Sequence, residues 1–234
     1  MKLVFMGTPD FAETALRALL GSRHEVAAVY TQPDKPVGRK AVLTPPPVKT
    51  LAQERGVPVF QPTKLRDGTV AAQLREIAPD VIVVVAYGRI LPPDVLAVPR
   101  LGCINVHASL LPSYRGAAPI EAAVVHGESV TGVTTMYMAE GLDTGDMILR
   151  AELPIGEDEQ APELRPRLAE LGASLLLETL DKLERGDAPR IPQDESRASW
   201  ASIIKKEDAR VDFGKTAREV HNLVRGMAGW PCAY

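Results

Sequence analysis

Asn105 and His107 stand two residues apart in Cys103-Ile-Asn105-Val-His107-Ala-Ser-Leu-Leu-Pro112. On an extended strand, residues i and i+2 leave the same face, so both polar side chains point at one spot. An amide and an imidazole aimed together can hydrogen-bond a carbonyl oxygen as it gains charge. Alone, the histidine would read as a packed core residue; its pairing with an asparagine at the end of a strand is what suggests a site. A second chemical segment is Glu140-Gly-Leu-Asp143-Thr-Gly-Asp146, a glycine-punctuated loop with three carboxylates. Its plainer reading is a solvated turn, yet a carboxylate brought beside His107 would orient the imidazole and help take a proton from an amine. Spacing does not say which of the three does so. The run lacks the EF-hand order of oxygen ligands, and no His, Cys or Asp cluster has ligand spacing, so no metal is expected.

Two further segments can line a site. Tyr87-Gly-Arg-Ile-Leu91 follows an apolar run; its plainer reading is an ordinary strand-to-helix turn, though its apolar residues and few polar groups could edge a pocket. Gly7-Thr-Pro-Asp10 follows the first apolar run but has one glycine where a dinucleotide fingerprint has three, so NAD or FAD binding is not expected. A turn there can still face a ligand, because open α/β sheets bind in the crevice outside the strands' carboxyl ends.

The elements that must hold these residues are legible in the pattern. Strand-like runs at Leu3–Met6, Val26–Tyr30, Val57–Phe60 and Val81–Ala86 alternate with helical patterns at Phe11–Leu20, Val48–Arg55 and Val70–Ile77, which predicts βαβ units on a parallel sheet. Val81-Ile-Val-Val-Val85 is continuously apolar, as a central strand covered on both faces should be. Residues 130–138 alternate and predict a more exposed, antiparallel addition. Leu164, Leu168, Leu171, Leu175, Leu176, Leu180 and Leu183 recur at helical spacing before Gly186, a plausible stop. Polar residues 187–199, with Pro189 and Pro192, read as an exposed linker. The fold class expected is α/β, a Rossmann-like, mostly parallel sheet with helices on both faces.

Composition sets the bounds. The 234 residues are 45% hydrophobic and 24% charged, values typical of a folded globular chain, with neither repeats nor low-complexity tracts. A net charge of −3 gives no global basic field, so any RNA contact must be local. The Pro-rich segment from Thr31 to Pro47, carrying Lys35, Arg39 and Lys40, is an exposed basic loop of that kind. Cys103 and Cys232 form no CxxC motif, the first residues lack signal-peptide order, and no uncharged apolar run approaches about 18 residues, so a cytoplasmic protein is expected.

Met6-Gly-Thr-Pro-Asp-Phe11, Asn105-Val-His107-Ala-Ser109-Leu-Leu-Pro112 with Tyr114-Arg-Gly-Ala-Ala-Pro119, and Gly141-Leu-Asp143-Thr-Gly-Asp146 follow one another in this order. Together they resemble the methionyl-tRNA formyltransferase family, and the match runs to the end of the chain. The Asn, His and Asp set is shared by the wider folate-dependent formyltransferase superfamily; Gly-Thr-Pro-Asp-Phe and Ser-Leu-Leu-Pro favour the tRNA enzymes. The resemblance implies a formyl-transfer site of Asn105, His107 and Asp143. It also implies a tetrahydrofolate site using Ser109, Leu110, Leu111 and Pro112, with the pterin near Tyr87, Arg89, Ile90, Leu91 and residues 139–143. The donor implied is 10-formyltetrahydrofolate, without a metal, and the acceptor is initiator methionyl-tRNA.

In that family the Pro-rich loop enters the acceptor stem, and Arg39 matches a basic position used there, beside Lys35 and Lys40; Ala41 and Val42 stand where further basic residues are expected. The implied organisation is a catalytic domain over 1–187, a linker over 188–204, and the beginning of a barrel-type, tRNA-binding C-terminal domain over 205–234, incomplete in this chain. The alternatives are a relative acting on a sugar-nucleotide amine, glycinamide ribonucleotide or water, and a non-catalytic folate or RNA-binding module, which the presence of Asn105, His107 and Asp143 disfavours.

Overall fold

Val81-Ile-Val-Val-Val85 is buried at every position, as its composition predicts, in the computed structural model, which describes residues 1–38 and 40–234. In chain order the elements are β1 (Lys2–Gly7), α1 (Asp10–Leu20), β2 (Glu25–Tyr30), β3 (Lys35–Val37), β4 (Val42–Thr44), α2 (Pro47–Glu54), β5 (Val59–Phe60), α3 (Thr69–Ile77) and β6 (Val81–Val85). They continue with α4 (Pro93–Leu96), β7 (Cys103–His107), β8 (Arg115–Gly116), α5 (Pro119–Val125), β9 (Val130–Tyr137), β10 (Met147–Pro154), α6 (Ala161–Arg185), β11 (Trp200–Ala201) and α7 (Ala217–Gly226).

Seven strands form one sheet in the order β10-β9-β7-β6-β1-β2-β5. β5, β2, β1, β6 and β7 are parallel, and β9 runs antiparallel to both β7 and β10, so the alternating run near 130–138 is the antiparallel addition expected. From β1 the chain builds outward through β2 and β5, then returns to β6 on the other side of β1. That reversal opens a crevice outside the carboxyl ends of β1 and β6, where this class of sheet binds ligands.

The two faces are covered unequally. Leu3, Phe5, Val83, Val85, Ile104 and Val106 face a core built with α1, α2, α5 and α6. The opposite residues, Val4, Met6, Ile82, Val84 and Cys103, face α3 and α4. Cover from those two helices ends at Cys103, so Asn105 and His107, which share its face, look into space roofed by loops. The long helix begins at Ala161 rather than Leu164, because a capping box between Gln160 and Glu163 starts it earlier, and it stops at Gly186 in the left-handed conformation, φ 77°.

Residues 188–204 are mostly exposed but are laid onto the sheet. Ile191 bridges Met147 in antiparallel fashion, and β11 pairs in parallel with β8. Beyond them α7 docks against α5, and the buried Arg225 donates to the Gly156 and Glu159 carbonyls at 3.3 and 3.2 Å. Among the described residues no helix is long and apolar enough to cross a membrane.

Candidate functional site

The β9–β10 connection brings the carboxylate loop to β7. It leaves β9 beside the start of β7, where Met138 N–H donates to the Cys103 carbonyl at 2.8 Å, and folds back along the strand. Asp143 thereby reaches both polar residues. Asn105 Nδ2 donates to its Oδ1 at 3.4 Å, and His107 Nδ1 lies 3.7 Å from its Oδ2. The same Oδ2 accepts the Gly116 N–H at 2.9 Å. Gly116 is required there: φ is 115°, and a Cβ would sit 2.5 Å from the Ala201 carbonyl oxygen.

His107 is fixed from its other side. Its Nε2 meets the Tyr114 carbonyl at 2.8 Å. A carbonyl only accepts, so Nε2 carries the hydrogen, and Nδ1 is the nitrogen that faces the carboxylate. Any proton that the ring exchanges with a bound molecule therefore passes through Nδ1.

These three residues line a cavity of about 710 Å³, within the usual range of small-molecule sites. Tyr87, Arg89, Ile90 and Leu91 line it too, as do Ala139 to Leu142 from the carboxylate loop. Tyr87 and Leu91 are buried and Ile90 is exposed at the mouth. Burial raises the Tyr87 phenol above its ordinary pKa, and its hydroxyl has no partner among the described residues. Arg89 is spread between the Gln32 side chain at 3.2 Å and the Thr63 carbonyl at 2.8 Å. Glu121 and Arg165, paired with each other, also line the cavity.

Expected as folate contacts, Ser109, Leu110, Leu111 and Pro112 are instead outside the cavity lining. The chain turns away after His107: Ser109 Oγ donates to the Ser113 carbonyl at 2.6 Å, and Leu111 is buried with Met136 and Met147. Their effect on the site is indirect, since this turn delivers the Tyr114 carbonyl to His107. Lys35 and Lys40 lie on the exposed β3–β4 hairpin, away from the cavity lining, and Arg39 lies outside the described residues.

Some site residues carried no sequence signal. Arg115 is 1% exposed although charged; it donates to Gln193 and to Glu195, and that pairing raises its pKa and lowers that of Glu195. Gln193 in turn holds the carboxylate loop. Trp200, Ala201 and Ile203 line the cavity from a segment that reads as a linker. Only Arg115 lay within a motif, and nothing in its spacing announced burial.

Comparison with known proteins shows the family to which the chain belongs. Residues 1–180 match the family model described as formyl transferase, and residues 203–234 match that of the formyl transferase C-terminal domain. The methionyl-tRNA formyltransferase of Pelotomaculum thermopropionicum is 54% identical over 233 residues, covering 100% of this chain and 74% of the relative. That of Clostridioides difficile is 53% identical over 234 residues, covering 100% and 76%. The chain belongs to the methionyl-tRNA formyltransferase family.

Solved structures at lower identity share the fold. A 4-N formyltransferase from Francisella tularensis superposes with a TM-score of 0.77 at 19% identity, covering 100% of this chain and 91% of that one. An N-formyltransferase from Helicobacter canadensis, solved with folinic acid and dTDP-3-aminofucose, gives 0.76 at 20% identity, covering 97% and 80%. A formyl carbon attacked by an amine becomes tetrahedral and anionic at oxygen, and hydrogen-bond donors fixed in advance stabilise that oxygen most.

Proposed function

We propose that this cleft transfers the formyl group of 10-formyltetrahydrofolate to the α-amine of initiator methionyl-tRNA. The observation that carries the reading is the convergence of Asn105, His107 and Asp143 in one cavity of a chain from this family. The pterin lies in the slot edged by Tyr87, Arg89, Ile90 and Leu91 and by the loop from Ala139 to Asp143, where an apolar wall and backbone polar groups suit a flat heteroaromatic. Ser109 to Pro112 support that site by fixing the turn beneath His107.

The neutral amine attacks the formyl carbon; an ordinary α-amine has a pKa near ~8, so much of it is unprotonated without a strong base. As the new C–N bond forms, Asn105 Nδ2–H and, with the ring doubly protonated beside Asp143, His107 Nδ1–H hold the oxyanion. Removing one such donor typically costs on the order of 3 kcal/mol in the transition state. Asp143 fixes both donors and accepts the amine proton, directly or through water. The tetrahedral centre then collapses, the bond to the folate nitrogen breaks, and that nitrogen takes up a proton as tetrahydrofolate leaves. Lys35, Lys40 and Arg39 meet the acceptor stem, and the enzyme works in the cytoplasm, to which two unpaired cysteines are suited.

The test is a choice of acceptor. Incubated with 10-formyltetrahydrofolate, the protein should formylate initiator methionyl-tRNA and leave an amino-sugar nucleotide and glycinamide ribonucleotide untouched. Formyl transfer to one of those, or hydrolysis of the donor, with no product on tRNA would overturn the reading.

A further inference from the structure

We propose that Gln193 is a positioning residue: its side-chain amide holds the main chain of the loop that carries Asp143 where the carboxylate meets both His107 and Asn105. The proposal rests on reading Asp143 as the carboxylate of the site. Asp143 has φ 53°, the left-handed region, which a non-glycine residue keeps only when its surroundings fix it from several sides.

Two anchors do so. Gly116 N–H holds the side chain through Oδ2 at 2.9 Å. Gln193 Nε2 holds the main chain, donating to the carbonyls of Asp143 and Gly145, both at 2.8 Å. An amide nitrogen has two hydrogens, so both bonds form at once. The orientation of that amide is not a free choice. Its Oε1 accepts from Arg115 Nε at 3.0 Å and Nη2 at 2.8 Å, and a guanidinium only donates. With the oxygen committed to Arg115, the nitrogen must face the two carbonyls.

Arg115 is fixed in turn by a two-pronged pair with Glu195, at 2.9 Å from Nη1 and 2.7 Å from Nη2. It directly precedes Gly116, the residue that holds the carboxylate. The bonds therefore close a circuit: Gly116 fixes the side chain of Asp143, Gln193 fixes its backbone, and Arg115 ties one anchor to the other. The chain on either side of Gln193 is pinned as well, by the Ile191–Met147 bridge and by β11 against β8. The segment between the two family matches is thus part of the formyl-transfer site.

Gln193→Glu tests this with little change of shape. It keeps the acceptor for Arg115 but turns the two N–H bonds into an oxygen facing two carbonyl oxygens; Gln193→Leu removes every bond. For both, kcat, KM for the formyl donor, the stoichiometry and affinity of tetrahydrofolate binding, and the unfolding midpoint should be measured beside Asp143→Asn. We expect kcat to fall about tenfold to a hundredfold, as for a displacement of roughly 1 Å, while folate stoichiometry and affinity hold. A role in folding alone would lower the midpoint or the fraction able to bind folate and leave kcat per binding-competent chain unchanged; that result overturns the proposal. Full kcat in Gln193→Glu while Asp143→Asn is inactive would overturn the positioning role alone. Full turnover in Asp143→Asn would overturn the site reading and the proposal with it.

Discussion

At His107 the two ring nitrogens have separate duties: Nε2 locks the ring to the Tyr114 carbonyl, and Nδ1 serves the cleft. Cys103, on the same face two residues earlier, shows how sharply the environment changes along β7. Burial pushes its thiol up to about 12, so it stays protonated and unreactive, whereas Cys232 is exposed. Treating the native protein with iodoacetamide at mildly alkaline pH should therefore label Cys232 alone and leave turnover intact; labelling of Cys103 in folded, active protein would contradict this. Asn105 and His107 were legible because a period of two puts them together. Asp143 was not separable from Glu140 and Asp146 by spacing, since a loop has no period; the fold separates them by turning Glu140 to the cleft's exposed lip and placing Asp146 3.7 Å from Arg190. Gln193 was invisible, because half-buried amides have no pattern.

Among the elements, β1 and β6 flank the reversal that opens the crevice, and Asp80 ties their starts together. Its Oδ2 accepts the Lys2 N–H and its Oδ1 accepts Arg100 Nε, each at 2.8 Å, and these hold the carboxyl below its usual range, the Lys2 bond first. A depressed carboxyl stabilises the fold above its unfolded pKa, near ~3.9, and loses that contribution as pH falls through the lower folded value. Asp80→Asn should accordingly lower the unfolding midpoint at neutral pH, and the two proteins should converge in strong acid; a constant difference across the titration would show that the charge is not involved. Apolar runs announced the strands of the sheet, and the leucine spacing announced α6. Residues 188–204 read as a linker because their attachments use main-chain bonds, an arginine, a glutamine and a glutamate rather than an apolar stripe. Hydrophobic periodicity cannot register such a contact.

For the whole molecule, a net charge of −3 leaves RNA recognition to local features. Lys49 is already committed, bonded to Asp34 at 2.8 Å and Gln61 at 2.9 Å, whereas Lys35 and Lys40 stand exposed on the hairpin. If that hairpin meets the acceptor stem, Lys35→Ala and Lys40→Ala should each weaken tRNA binding and reduce the slope of log affinity against log salt by about one, with folate affinity unchanged. An unaltered slope would move the RNA contact elsewhere. The chain spans about three quarters of the length of its relatives, 74% in one and 76% in another. Turnover is best read at low salt and saturating tRNA, where kcat is separated from binding. Under those conditions the most direct measurement is kcat for formylation of initiator methionyl-tRNA by the native protein and by His107→Ala, with tetrahydrofolate affinity determined for both. An oxyanion donor acts on the transition state alone, so kcat should fall on the order of a hundredfold or more while folate affinity holds. Near-native kcat in His107→Ala would contradict the assignment of this cleft as the formyl-transfer site.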